Sequence, residues 1–132
     1  MFSRGKKILL IDDEKDLCFF VQQNLKLLGS YEVIIARDGK EGIRAARFHK
    51  PELILLDIMM PGLDGFEVAK RLKTDNKTVF MPIIFLTAKG DEESKLKAAS
   101  LYNDDYIVKP FEMRALKSKI DNLLAKTIVN TI

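Results

Sequence analysis

Apolar positions along this chain alternate between two rhythms. Short runs of strand length, Lys7 to Ile11, Glu32 to Ala36, Leu53 to Leu56, Ile83 to Leu86 and Tyr106 to Val108, are separated by longer amphipathic stretches. That is the habit of a parallel sheet wrapped by helices on both faces. The third and fourth runs are nearly continuous in Leu and Ile, as strands buried on both faces require, so the pattern predicts that they are central.

Between the first two runs, Leu17, Phe20, Val21, Leu25 and Leu28 recur at helical spacing, and Gly29 follows where a left-handed residue would close the helix. Asp38 with Glu41, and Asp64 with Glu67, have the cap-plus-three pattern that satisfies open amides at a helix start, which predicts the second and third helices. A fourth is predicted from about Asp91 to Ser100. A fifth runs from Phe111 to about Lys126, with Met113, Leu116, Ile120, Leu123 and Leu124 on one side. No linker, low-complexity segment or repeat beyond this alternation intervenes, so the 132 residues read as a single domain, 1–132, with its core at about 6–126. The fold class is α/β, a flavodoxin-like doubly wound parallel sheet of five strands in the order 2-1-3-4-5 with five helices. In that order the ends of the first, third and fourth strands lie side by side, at the crevice where such sheets bind ligands.

Composition changes this picture little. At 47% hydrophobic and 31% charged, the chain can bury one core under a solvated surface. Lys plus Arg exceed Asp plus Glu by 22 to 19, a net charge of +3 that is too mild to argue for direct nucleic-acid contact. The one cysteine, Cys18 in LCFFV, cannot form an internal disulfide and is expected to be buried as a small hydrophobe. The N-terminus turns acidic after a run of four apolar residues, too few for a secretory core, and no apolar run approaches the ~20 residues of a membrane span. A cytoplasmic location without membrane association is expected.

The chemistry gathers at the downstream ends of the strand runs: Asp12 and Asp13 after KKILLI, Asp57 after LILL, Thr87 after IIFL, and Lys109 after DDYIV. Taken singly, each has a plain structural role, since Asp pairs cap helices and a lone Thr or Lys serves turns and surface. Together they point to phosphoryl transfer. Carboxylates gathered in one pocket would repel by roughly 4 kcal/mol per pair at about 4 Å and an effective dielectric near 20. Lys109 offsets one charge, and a divalent cation is the natural remedy for the rest. Oxygen ligands without His or Cys favour magnesium, which prefers a few carboxylates plus a phosphate oxygen. Asp57, at the end of a central strand, is the best-placed nucleophile and could hold phosphorus as an aspartyl phosphate. The metal and Lys109 would neutralise the transferring group, with Thr87 donating a hydrogen bond to it. The chain has no GxxxxGK[ST], no GxGxxG after a strand and no DxDxDG calcium loop. The lone His49 reads as surface, and no Ser-His-Asp signature is present.

The segments ILLIDDE, LILLDIMMPGLDGFEV, PIIFLTAK and DDYIVKPF resemble the receiver domain of two-component response regulators, whose simplest single-domain form is the chemotaxis regulator. The similarity runs from about Lys6 to Leu124. It implies that Asp57 is the phosphoacceptor, that Asp12, Asp13 and the Met59 main-chain carbonyl complete a Mg2+ site with Asp57, and that Thr87 and Lys109 grip the phosphoryl group. It implies transfer from a phosphohistidine on a sensor histidine kinase or histidine phosphotransfer protein, self-catalysed by a regulatory domain that is not an enzyme in the ordinary sense, and later hydrolysis. Tyr106 would be the switch aromatic that turns inward as Thr87 moves, although from the residues alone it reads as an ordinary half-buried sheet position. Lys109-Pro110 would be cis, and Pro61, Gly62 and Gly65 would shape the loop after the acceptor. Tyr102-Asn103 departs from the family's usual Gly-Ala pair, and Met59 and Lys89 stand at positions that tune hydrolysis in such domains.

By that resemblance, phosphorylation would favour one of two surface arrangements, read by a downstream protein target. Because only TIVNTI follows Lys126, a stand-alone shuttle or inhibitor is expected unless the chain is a fragment of a longer regulator or hybrid kinase, as a monomer or a phosphorylation-dependent dimer. The competing reading is a phosphorylation-independent receiver-like interaction module, presenting Lys117, Lys119 and Lys126 to an acidic partner; those lysines equally suit a solvated helix face. A flavin-binding protein of similar winding is disfavoured, because the loop after the first strand is acidic where a cofactor phosphate needs amides and hydroxyls.

Overall fold

In the computed structural model, which describes residues 5–88, 90, 91, 93 and 104–131, the five apolar runs become β1 (Lys6–Ile11), β2 (Tyr31–Ala36), β3 (Leu53–Asp57), β4 (Ile83–Ala88) and β5 (Asp105–Lys109). They pair in parallel in the order β2-β1-β3-β4-β5. The connecting helices are α1 (Lys15–Leu28), α2 (Gly39–His49) and α3 (Gly65–Lys73), and α4 (Met113–Thr131) closes the chain. The helix expected from about Asp91 to Ser100 falls mostly outside the described residues, as do Lys89, Tyr102 and Asn103.

Side chains on a strand point alternately to the two faces, and here each face is a core. Ile8, Leu10, Leu53, Leu55, Ile84, Leu86 and Ile107 meet Cys18, Val21 and Leu25 of α1 and Met113, Leu116, Ile120 and Leu124 of α4. Their neighbours Leu9, Ile11, Ile54, Leu56, Ile83 and Phe85 meet Ala46 of α2 and Val68, Ala69 and Leu72 of α3. The continuous Leu/Ile runs are thus explained, each fully buried side chain contributing roughly 1.5–3 kcal/mol. With both faces apolar, alternation alone does not fix the register. Polar ends do: a slip of one residue would draw Asp12 or Asp57 into an apolar layer, where an unpaired charge is very costly.

The acidic caps form as the sequence pattern predicts. Asp38 accepts from the Glu41 amide at 2.8 Å and Asp64 from the Glu67 amide at 2.9 Å. The expected ending of α1 does not hold. Gly29 is extended (φ −174°), its amide closing the helix on the Leu25 carbonyl at 3.1 Å, because the chain must run straight on into β2. The left-handed cap is instead Lys50 (φ 51°), after α2. On α1 the buried stripe is Cys18, Val21 and Leu25, while Phe20 and Leu28 are exposed at its edges. No helix among the described residues is long and apolar enough to cross a membrane.

The α3 start is laid against the main chain beyond β3. The Gly65 amide donates to the Ile58 carbonyl at 2.8 Å, and a Cβ on Gly65 would lie 2.5 Å from the Asp57 carbonyl oxygen and 2.7 Å from Ile58 Cα. Gly62, in the same loop, has φ +77° but open space around it. Gly65→Ala is therefore expected to cost about 1–3 kcal/mol through forced separation of backbone. Gly62→Ala should cost only ~1 kcal/mol, from its left-handed conformation. Urea denaturation of the two variants checks the order; a larger loss at Gly62 would refute the close approach.

Candidate functional site

Register assembles the site. Ile11 pairs with Leu56, so Asp12 and Asp57, each one residue further on, come side by side at the ends of β1 and β3. Asp57 pairs with Leu86 and Ala88 with Lys109, which sets Thr87 and Lys109 at the same edge on β4 and β5. Carboxylate oxygens of Asp12, Asp13 and Asp57 all lie within 4.8 Å of one another. Asp12 and Asp57 are buried, and Asp13 is exposed at the mouth.

Lys109 Nζ sits among these acids, 2.9 Å from Asp12 Oδ2 and 3.5 Å from Asp57 Oδ1. It is also 2.9 Å from Glu14 Oε1, a partner that the strand-end pattern did not single out, although the third acid of ILLIDDE was its visible signal. Main-chain amides complete the arrangement: Glu14 donates to Asp12 Oδ1 at 2.9 Å and Met59 to Asp57 Oδ1 at 3.3 Å. Burial, reinforced by the neighbouring Asp12 charge and opposed by Lys109 and the Met59 amide, pushes Asp57 up to about 7. Burial likewise raises Asp12, against the Glu14 amide and Lys109. For Lys109 burial pulls downward, but its hydrogen bond to Glu14, its close pairing with Asp12 and the charges of Asp12 and Asp57 carry it well above its ordinary value. An always-charged ammonium therefore faces carboxylates whose own ionisation is disfavoured.

The remaining candidates lie around this centre. Thr87 is fully buried, its hydroxyl 3.5 Å from the Ile107 carbonyl. Tyr106 is half-buried against the core on the α2 and α3 side, with Lys119 Nζ 6.0 Å from its ring centroid. The Met59 side chain is exposed. The Lys109-Pro110 peptide is cis.

The donors suit a hard cation. They are oxygens only, and Asp12 Oδ2 is buried without an aligned hydrogen-bond donor even though Lys109 pairs with it ionically. Cys18, whose thiol donates to the Asp12 carbonyl at 3.4 Å, is no rival ligand: burial and the Asp12 charge push it up to about 11, so it stays protonated at neutral pH. Carboxylate oxygens without nitrogen or sulfur are the ligand set of Mg2+ rather than Zn2+.

Comparison with known proteins agrees with this geometry. The response regulator receiver domain profile matches residues 8–121. The chain is 42% identical over 123 residues to the alkaline phosphatase synthesis transcriptional regulatory protein PhoP of Bacillus subtilis, covering 93% of this chain and 50% of that one. It is likewise 42% identical over 123 residues to the phosphate regulon transcriptional regulatory protein PhoB of Pseudomonas aeruginosa, covering 93% and 53%. The chain thus spans about half the length of these regulators. Among solved structures, the receiver domain of a Francisella response regulator superposes with a TM-score of 0.84 at 30% identity, covering 93% of this chain and 99% of that one. Fold, acidic pocket and sequence likeness agree: this chain belongs to the receiver domain family of two-component response regulators.

Proposed function

We propose that the chain works as a phosphorylation switch, accepting a phosphoryl group on Asp57 from a phosphohistidine on a sensor histidine kinase or histidine phosphotransfer protein. The observation that carries this reading is the crowding of Asp12, Asp13 and Asp57 within 4.8 Å, with one ammonium shared between the two that are buried. In the transfer, a carboxylate oxygen of Asp57 forms the new O–P bond while the N–P bond of the phosphohistidine breaks, and the imidazole leaves with the bonding pair. Asp12, Asp13, Asp57 and the Met59 carbonyl are the groups that would hold Mg2+, and the bound ion supplies positive charge that offsets the carboxylates as an anionic phosphate enters. Lys109 contributes a fixed charge toward the phosphoryl oxygens, and the Thr87 hydroxyl contributes a hydrogen bond.

A groove of about 560 Å³ opens beside Lys109 and Glu14, floored by Leu17, Phe20, Pro110 and Phe111. It offers apolar contact to the phosphohistidine-bearing partner at the place where the reacting groups must meet. In this reading Thr87 and Tyr106 link the modified pocket to the surface seen by a downstream protein, and residues 1–132 act as one receiver unit in the cytoplasm. It acts as a monomer or a phosphorylation-dependent dimer, with no direct contact to nucleic acid.

Two measurements test this. With acetyl phosphate and Mg2+, the intact mass should rise by one phosphoryl group; Asp57→Asn or chelation of the metal should abolish the gain. No gain in the wild type would favour an interaction module that works without phosphorylation, and an equal gain in the Asp57→Asn protein would place the phosphate on another residue. In thermal denaturation, Mg2+ at a hundredfold excess over its Kd should stabilise the fold by about 2.7 kcal/mol. Asp13→Asn, at an exposed position, should fold normally yet lose most of this response; retention of the full response would remove Asp13 from the metal site.

A further inference from the structure

An ammonium has three N–H donors, and Lys109 Nζ already faces three carboxylates: Asp12 and Glu14 at 2.9 Å each and Asp57 at 3.5 Å. Of the three, only Glu14 takes an aligned hydrogen bond, while Asp12 and Asp57 hold the ammonium by charge, so a phosphoryl group on Asp57 must compete with three carboxylates for it. The three are not equivalent. The side chain of Asp12 is 0% exposed and that of Asp57 7%, whereas that of Glu14 is 61% exposed. Water can replace Lys109 at Glu14. Leaving Asp12 would strand a buried oxygen that lacks an aligned donor.

The start of α1 adds a second observation. Glu14 occupies its cap position but makes no side-chain cap bond, while Asp38 and Asp64 cap α2 and α3 through theirs. The Glu14 carboxylate is directed across to β5 instead, and its amide bond to Asp12 Oδ1 fixes where that reach begins.

We propose that Glu14 is a positioning residue: it gives Lys109 a place to rest when Mg2+ draws Asp12 and Asp57 away, and releases it when a phosphoryl group appears. This rests on Asp57 being the phosphoacceptor. Two opposite effects follow from removing the Glu14 charge. Lys109 would then lean more heavily on Asp12 and Asp57 and compete with the cation. It would also be freer to turn to an incoming anion, because a neutral amide holds it less firmly.

The test compares wild type, Glu14→Gln and Asp16→Asn, the last removing an exposed charge from the same helical turn without touching Lys109. Mg2+ alone is titrated by amide NMR, and beryllofluoride, a phosphoryl mimic, is titrated at saturating Mg2+ by fluorine NMR. Glu14→Gln is expected to bind beryllofluoride about two- to five-fold more tightly, the range set by an exposed ion pair, and Mg2+ alone about two-fold more weakly; Asp16→Asn should change neither. A merely loosened loop would weaken both, which overturns the proposal, as does equal tightening in Asp16→Asn. If wild type itself takes up no beryllofluoride, the phosphoacceptor reading falls and this proposal with it; normal uptake with unchanged Glu14→Gln affinities overturns this proposal alone.

Discussion

Burying like charges beside one another is the constraint around which this molecule is arranged. Asp12 and Asp57 are taken out of water by the strands that carry them, and Lys109 reaches both. Removing Lys109 from such a buried group would cost about 3–5 kcal/mol, because the carboxylates left behind have no compensation. The rise of Asp57 toward neutrality shows the same tension from the side of protonation. A receiver pocket of this kind is therefore unsatisfied by construction, and its remaining need is for positive charge.

What holds the acids in place is apolar. Ile8 to Ile11 and Leu53 to Leu56 are wholly inaccessible to solvent, and their side chains are divided between two separate cores. That packing fixes where β1 and β3 end, and the ends fix the acids. Flexible loops would let carboxylates drift apart to relieve repulsion. Strand ends anchored on both faces do not, and Gly65 seats α3 directly on the chain that leaves Asp57.

Much of this was legible from the sequence because it depends on short-range rules. Strand runs, their centrality and the Asp38 and Asp64 caps follow from periodicity and from hydrogen-bonding needs within one turn. The gathering of Asp12, Asp13 and Asp57 follows from strand order together with the register of β1 on β3. Where the reading failed, an element other than the one being read decided. Gly29 is extended because β2 begins almost at once, and the left-handed cap falls to Lys50, which no glycine signal announced. Phe20 fits the helical period, yet the apolar stripe of α1 turns toward Cys18, leaving Phe20 on a groove with Pro110 and Phe111. Glu14 was visible as an acid, but the bond to Lys109, 95 residues away, depends on a side-chain direction that only the assembled sheet defines.

The two cores have a further consequence. The sheet is a partition: α1 and α4 press on one side, α2 and α3 on the other, and among the described residues no buried side chain belongs to both layers. Either outer wall can then be remodelled by mutation while the strand ends, and the reaction they support, stay as they are. One chemical centre can in this way be paired with many different recognition surfaces, each refined without retuning the others.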